Sequence, residues 1–166
     1  MIRKVFLSLI AICGFILVFQ SCGKRKLKDC CISQNLVIIP SHANYFVPNI
    51  FTPNADSIND LLFLYGTDFI SAEWKILDGK TVLYETNDFT IGWDGTHEGN
   101  LVKEKNYDLE ATIESQHGNY EISGKVCVVT ECFHENNFSQ CMFGSQWDGF
   151  DYDNSIPSQE TIGLCN

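Results

Sequence analysis

Residues 107–114 read Tyr-Asp-Leu-Glu-Ala-Thr-Ile-Glu, a strict alternation of apolar and polar side chains. Successive side chains of a β-strand point to opposite faces, so this period of two predicts a strand with one buried face. After the turn residues His117-Gly118-Asn119, a second stretch continues the pattern with apolar residues at Tyr120, Ile122, Val126 and Val128. The two stretches together predict a long antiparallel hairpin.

A second hairpin is predicted upstream, around the dipeptide Asp78-Gly79. Apolar residues flank this dipeptide on both sides: Trp74, Ile76, Val82 and Tyr84. Asp-Gly between two such stretches is a strong signal for a tight hairpin turn. Shorter apolar runs at residues 36–39, 45–47, 50–51 and 61–65 predict further strands, and no stretch keeps a helical period. Many short strands with turn residues between them predict an all-β antiparallel sandwich.

The first 22 residues have the composition of an export signal. Met1-Ile2-Arg3-Lys4 is basic, residues 5–19 are almost entirely apolar, and Ser21 directly precedes Cys22. The segment resembles the signal of bacterial lipoproteins, in which the cysteine is acylated and becomes the first mature residue. A plain cleaved signal and an uncleaved anchor are the alternatives, although the apolar run is shorter than the ~20 residues that normally span a bilayer.

The remaining chain is expected to form one domain with two appendages. We assign residues 23–34 to a tether, 35–130 to the β-sandwich and 131–166 to a cysteine-containing tail of irregular structure. All 21 acidic residues lie beyond Lys28, where they are opposed only by Lys75, Lys80, Lys103, Lys105 and Lys125. Such an acidic domain repels nucleic acid, so we exclude nucleic-acid binding. The basic residues Lys24, Arg25, Lys26 and Lys28 are interpreted as a patch near lipid headgroups or as a solvated linker.

Six cysteines follow Cys22, and an even number in an exported chain predicts disulfides. They are Cys30, Cys31, Cys127, Cys132, Cys141 and Cys165. Adjacent cysteines can hardly bond to each other without strain, so we expect Cys30 and Cys31 to reach distant partners and to tie the start of the domain to its end. The pairing itself is left open among fifteen possibilities. The alternative is a zinc site formed by Cys127, Cys132, His134 and Cys141, whose spacing matches no common zinc pattern.

Residues 48–60, which read PNIFTPNADSIND, and residues 92–96, which read GWDGT, carry a resemblance to a known family. They resemble the gliding motility-associated C-terminal domain of Bacteroidetes, also called the type B sorting domain of type IX secretion. Its opening motif has glycines where this chain has Ala55 and Ser57. Residues 74–85 correspond to the strand-turn-strand that follows, with Asp78-Gly79-Lys80 at the family's R-W-G turn. The resemblance implies an immunoglobulin-like sandwich of about seven strands.

The resemblance also raises the possibility of a secreted type IX cargo with the sandwich as sorting signal. Sorting domains of this family end their chains, whereas here residues 131–166 follow. We therefore expect a resident outer-membrane lipoprotein, on the periplasmic face or the cell surface, anchored by lipid and bound to an unknown envelope protein or surface ligand. The basic residues after Cys22 favour the periplasmic face.

Two motifs are candidates for local structure or ligand binding. In Trp93-Asp94-Gly95, a buried ring, a carboxylate that accepts backbone N–H groups and a glycine with positive φ favour a structural corner. Trp147-Asp148-Gly149 repeats it in the tail. Hard oxygen ligands lie close together in Asn54, Asp56, Asn59 and Asp60, and again in Asp148, Asp151, Asp153 and Asn154. Both sets suggest calcium, but the number of ligands is short, and the alternative is an Asx-rich turn.

No combination of nucleophile, base and orienting group predicts an active site, so we expect a non-enzymatic protein without a required cofactor. The histidines are scattered at His42, His97, His117 and His134, and no G-x-S-x-G motif is present. A hydrolase or a calcium-dependent lectin-like module is the remaining alternative. The tail aromatics are expected either to contact the partner or to pack on the sandwich; they are Phe133, Phe138, Phe143, Trp147, Phe150 and Tyr152.

Overall fold

The computed structural model describes residues 30–31, 45–133, 138–147, 158–163 and 165. They form an all-β, sandwich-like domain, as predicted, and no helix in these ranges is long and apolar enough to cross a membrane. The strands are β1 Tyr45–Phe46, β2 Ile50–Phe51, β3 Tyr65–Gly66, β4 Phe69–Asp78, β5 Thr81–Thr86, β6 Thr96–His97, β7 Asn100–Leu101, β8 Lys105–Ser115 and β9 Gly118–Val128. The tail adds short 3₁₀ turns at Phe138–Gln140 and Gly144–Gln146.

The described ranges contain nine strands, where about seven were expected. Five of them are only two residues long. Pro48 lies between β1 and β2, and Pro53 follows β2, so neither strand can lengthen without losing ladder hydrogen bonds. The predicted strand at residues 36–39 lies outside the described residues.

The main sheet has the strand order β2-β9-β8-β4-β5. Both predicted hairpins are confirmed. In the β4–β5 hairpin Asp78 pairs with Thr81, and Gly79 has a φ of +63°. The β8–β9 hairpin keeps an unbroken register, but Ser115 pairs with Gly118, so the chain turns at residues 116–117 rather than at His117-Gly118-Asn119.

One strand pair departs from the predicted antiparallel arrangement. Strand β2 runs parallel to β9, with Ile50 opposite Cys127 and Phe51 opposite Val128. Parallel neighbours need a long connection between them. Here that connection is the remainder of the sandwich, because β2 lies near its beginning and β9 is its last strand.

The inner face of the main sheet carries the core. Tyr107, Leu109, Ala111 and Ile113 are buried on β8, so the predicted alternation is confirmed. Two short ribbons, β1–β3 and β6–β7, and the bridge between Leu62 and Trp93 lie outside the main sheet. Side chains from both sets of elements join one core cluster, which includes Tyr45, Val47, Phe51, Leu62, Trp74, Ile76, Trp93 and Val126.

The opposite face of the main sheet, called the outer face below, is partly covered by the tail. Ile50 and Cys127 alternate with core residues along β2 and β9 and therefore point to this outer face. They belong to a second cluster, whose other members come from the N-terminal cysteines, the residue after β9 and the tail: Cys30, Cys31, Val129, Phe133, Cys141 and Phe143. The tail thus has its own small apolar core at the β2–β9 end of the sheet.

Candidate interaction surface

Three disulfides connect the six predicted cysteines. The pairs are Cys30–Cys127, Cys31–Cys141 and Cys132–Cys165. The expectation that the adjacent cysteines reach distant partners is confirmed, because the first two bridges span 97 and 110 residues. The zinc alternative is wrong for its three cysteines, since each is bonded to another sulfur and offers no thiolate. His134 lies outside the described residues.

Asn49 fastens the tail to the edge of the main sheet. Its side-chain Nδ2 donates to the carbonyls of Cys31 at 3.2 Å and Gln140 at 3.1 Å. Its Oδ1 accepts from the backbone N–H of Met142 at 2.8 Å, and its own N–H donates to the Met142 carbonyl at 3.2 Å. One buried amide therefore satisfies three backbone groups from two separated parts of the chain, at Cys31 and at residues 140–142, where unpaired groups would be costly.

The tail aromatics are not one exposed contact set. Phe133 and Phe143 are each only 1 % exposed and pack in the second cluster, so the expectation of partner contact is wrong for these two. Phe138 contacts both rings and remains 39 % exposed. Trp147 stacks on Phe46 with ring centroids 6.0 Å apart. Phe150 and Tyr152 lie outside the described residues.

The loop formed by residues 53–60, called the Asx loop below, is organised by the Asp60 carboxylate. Its Oδ1 accepts the N–H groups of Asn54 at 2.9 Å and Ala55 at 2.7 Å, and its Oδ2 accepts the N–H of Ser57 at 2.6 Å. Asp56 Oδ1 accepts the N–H of Ile58 at 2.8 Å. The Asp56 bond is that of an Asx turn, in which the side chain accepts the N–H two residues on. The Asp60 carboxylate instead reaches back three to six residues and holds the loop closed.

The four predicted calcium ligands are therefore brought together, but their oxygens are largely engaged by the loop and the tail. Asn59 Oδ1 accepts the Ser145 N–H at 3.0 Å, and Asp56 Oδ2 accepts from the Thr161 hydroxyl at 3.2 Å. In the ranges that the structure describes, no group of three or more His, Cys, Asp or Glu side chains could hold a metal ion. The second calcium set, residues 148–154, lies outside those ranges.

Backbone conformation in the Asx loop is unusual for its residue types. Ala55, Ser57 and Asn59 have φ values of +65°, +71° and +53°. Residues with a Cβ are disfavoured in this left-handed region, where glycine is at ease. Ala55 and Ser57, which stand where the motif resembled by this stretch has glycine, therefore adopt the left-handed conformation with a side chain.

Glu160 joins the end of the tail to the Asx loop. Its Oε1 accepts the N–H groups of Thr161 at 2.8 Å and Ile162 at 2.9 Å. Its Oε2 accepts from the Asn59 amide at 3.3 Å and from the Thr52 hydroxyl. The carboxylate therefore shapes its own turn and at the same time holds that turn against the loop.

A groove of about 510 Å³ lies between the Asx loop, the chain leading into β3 and the tail. Its apolar lining comes from Ile58, Leu61, Phe63 and Tyr65, and Gly144 and Ser145 form the tail side. Leu61 is 43 % exposed, whereas burial raises the pKa of the Tyr65 hydroxyl. The groove thus presents apolar and aromatic surface beside polar loop atoms.

The Trp93 corner has the geometry that its residue types favour. The Trp93 ring is buried, and its Nε1 donates to the Thr96 carbonyl at 2.9 Å. Asp94 Oδ1 accepts the Thr96 N–H at 2.9 Å, and Gly95 has a φ of +77°. A Cβ at Gly95 would stand 2.9 Å from the Pro53 ring. The corner therefore packs against Pro53, the first residue of the Asx loop.

The described histidines do not form a catalytic group with each other. His97 Nδ1 lies 3.0 Å from the Leu83 carbonyl, and His117 lies in the β8–β9 turn. His42 and His134 lie outside the described residues, as does Cys22, the predicted site of lipid attachment.

Sequence reasoning missed the residues that position the tail. Asn49 stood inside the quoted opening motif, but nothing in the motif distinguishes a buried amide from a turn residue. Glu160 gave no signal, because its partners are about 100 residues away in the chain. Leu61, Phe63 and Tyr65 were assigned to a strand, and their alternation with buried Leu62 and Leu64 could have indicated an exposed apolar row.

Comparison with protein-family models gave no match, and comparison with characterised proteins gave none either. Among solved structures, an engineered protein from a structural genomics consortium is similar over 55 % of this chain and 21 % of that chain. The sequence identity is 16 % and the TM-score is 0.37.

Proposed function

We propose that this protein is a non-enzymatic, lipid-anchored envelope protein, and that its immunoglobulin-like sandwich and stapled tail form one module for binding another envelope component. The observation that carries the proposal is the attachment of the tail. The Cys31–Cys141 bridge, together with the neighbouring Cys30–Cys127 bridge, ties the tail to β9, and the Asn49 and Glu160 contacts hold it against the sandwich, where Gly144 and Ser145 form one wall of an open groove. The Cys132–Cys165 bridge closes the tail on itself.

The compartment is supported by the cysteine chemistry. Disulfides of this number persist in oxidising compartments such as the bacterial periplasm and the cell surface. The N-terminal sequence pattern, with Cys22 after a short apolar run, supports delivery to that compartment with a lipid anchor. Together these features favour a resident of the outer membrane.

Binding is supported by the lining of the groove. Leu61 is exposed and Phe63 is half-buried, so both offer apolar surface to the groove. Apolar surface with a polar rim is typical of contact surfaces. The polar rim comes from Asn59, Ser145 and Gln159. Aromatic and aliphatic side chains in such a setting supply contact area at a small entropic cost.

The localisation half of the proposal is tested by mass spectrometry of the mature N-terminus and by fractionation of a Cys22→Ser variant. We expect an acylated Cys22 in the native protein and loss of the membrane-bound form in the variant. An unmodified, secreted chain would contradict a lipid-anchored resident and would favour the type IX cargo.

The binding half is tested with a photo-crosslinking residue placed at position 61 in living cells. We expect one discrete adduct with an envelope component, and no such adduct from a matched probe at position 70. Ile70 is a suitable control because it is 56 % exposed and apolar but lies on β4 outside the groove. Equal labelling from both positions would contradict a binding site at the groove.

A further inference from the structure

The uncovered part of the outer face is strongly acidic. Residues on this face alternate with the core residues of β4, β8 and β9, and Glu85 joins them because it pairs with Lys75 across β4 and β5. The face carries two lysines, Lys75 and Lys125, against six carboxylates: Glu73, Glu85, Asp108, Glu110, Glu114 and Glu121.

Neighbouring side chains neutralise only part of this charge. Lys75 forms a salt bridge with Glu110 at 2.9 Å, and Lys125 pairs with Asp108. The hydrogen bond that Lys75 donates to Glu110, followed by the negative charges of Glu110, Glu85 and Glu73, raises the pKa of Lys75. The local field of the face is therefore negative even after these pairs form.

Two carboxylates in one cross-strand row have no salt bridge to a cation among the residues that the structure describes. Glu73 lies opposite Thr112 on β8, and Thr112 lies opposite Glu121 on β9. No described lysine or arginine forms a salt bridge with either glutamate. The short Thr112 side chain between them contributes to a shallow depression of about 490 Å³, which also borders Ser123.

The N-terminal segment reaches the sandwich on this same face. Cys30 is bonded to Cys127, with a Cα–Cα distance of 5.5 Å, and Cys127 points to the outer face of β9. Residues 24–28, which read Lys-Arg-Lys-Leu-Lys and are called the basic segment below, directly precede Cys30 by two to six positions. The most basic part of the chain is thus tied covalently to the edge of its acidic face.

The basic segment is long enough to reach the row formed by Glu73, Thr112 and Glu121. Six residues separate Lys24 from Cys30, and an extended chain covers about 3.3–3.6 Å per residue, or roughly 20 Å. Six residues also separate Glu121 from Cys127 along β9, at about 3.4 Å each, again roughly 20 Å. An extended basic segment lying along β9 would bring Lys24 and Arg25 level with the row of Glu73, Thr112 and Glu121.

We propose that the basic segment docks on the acidic outer face of its own domain, with Lys24 and Arg25 paired to Glu73 and Glu121. The inference is independent of the groove and of any partner bound there. It has a consequence for the anchor, because the same cations are attracted to anionic lipid headgroups. Anionic lipid and the acidic face then compete for the basic segment. The distance between the sandwich and the membrane depends on which of the two binds it.

The test measures trypsin cleavage within residues 24–28 of the full chain in non-ionic detergent. We expect the segment to be protected at low salt. The double variant Glu73→Gln and Glu121→Gln should be cleaved about tenfold faster, because proteolysis follows the open population and two surface ion pairs are lost. The matched double variant Glu98→Gln and Glu131→Gln, which removes two exposed carboxylates elsewhere, should behave like the native chain.

Carbodiimide cross-linking identifies the occupant of the face. We expect amide cross-links from Lys24 or Lys26 to carboxylates on β4, β8 or β9 within one molecule. A mixture of heavy- and light-isotope protein that gives mixed cross-links would show docking between copies and would overturn the proposal. Protection that arises only with vesicles of phosphatidylglycerol and phosphatidylcholine would assign the segment to lipid, and equal cleavage rates in all variants would also overturn it.

Discussion

The sandwich and the tail are held by different physical means, although they belong to one domain. The sandwich has long hairpins, with β8 and β9 paired over eleven positions, and a core drawn from both layers. The described tail has two 3₁₀ turns, two disulfides, through Cys141 and between Cys132 and Cys165, and a small apolar cluster. A segment with so little regular structure is ordered by covalent bridges and by side chains that satisfy its backbone.

The largest expected difference between the two regions concerns their cores. Trp93→Ala removes a fully buried ring and the bond from Nε1 to Thr96, so we expect a loss of about 4 kcal/mol in the free energy of unfolding of the sandwich. Phe143→Ala in the second cluster should instead loosen the tail and leave the β-sheet signal intact. Denaturant unfolding followed by circular dichroism and by tail proteolysis measures both. An equal loss of sheet structure in the two variants would show that the tail is part of the sandwich core.

The second-largest difference between the two regions is expected when one disulfide is removed. With Cys30–Cys127 in place, the Cys31–Cys141 bridge closes an additional loop of about 15 residues, which corresponds to about 3 kcal/mol. We therefore expect the Cys31→Ser, Cys141→Ser double variant to melt earlier and its tail to be cleaved first in limited proteolysis. Substituting both cysteines avoids a lone reactive thiol. Unchanged proteolysis of the tail would mean that the remaining contacts suffice to hold it.

The Asn49 amide is expected to matter somewhat less than the disulfide. Asn49→Ala leaves the buried Met142 N–H and Cys31 carbonyl and the partly buried Gln140 carbonyl without their partner. The free energy of unfolding should therefore fall by about 2 kcal/mol. Asn87→Ala, at an exposed position, is the control and should have almost no effect. Thermal unfolding compares the two variants. Similar melting temperatures would show that the Asn49 side chain does not hold the tail in place.

In the Asx loop, substitution by glycine at two positions should increase the stability of the protein. Ala55→Gly and Ser57→Gly place glycine where φ is positive, and each should raise the free energy of unfolding by up to about 1 kcal/mol. Ser123→Gly, within β9, should lower it because glycine weakens a strand interior. A decrease at residues 55 and 57 would show that their side chains stabilise the loop by more than the backbone strain costs.

The smallest expected effect is that of calcium. The Asp60 oxygens already accept three backbone N–H groups, so millimolar calcium should give neither binding heat nor a higher melting temperature. Titration calorimetry and thermal unfolding of the calcium-free protein measure this. Heat that disappears in an Asp56→Asn, Asp60→Asn variant would restore the calcium hypothesis.

The sequence predicted the parts of this fold that depend on neighbours in the chain. The alternation at residues 107–114 and the Asp78-Gly79 turn are local signals, and both predicted hairpins are present. The parallel β2–β9 pair, the disulfide partners and the contacts of Asn49 and Glu160 join residues far apart in the chain, and no local pattern encodes them. The groove escaped prediction for the same reason, since it exists only where the Asx loop meets the tail.

The hydrogen bonds between Asn49 and Met142 also determine which border of the main sheet remains available to other polypeptides. A border strand with unpaired N–H and carbonyl groups can recruit a strand from another molecule and start aggregation. The Met142 carbonyl of the tail accepts the Asn49 N–H directly before β2, so the tail shields that border of the sheet. Any growth of the sheet by added strands is thereby directed to the β5 side.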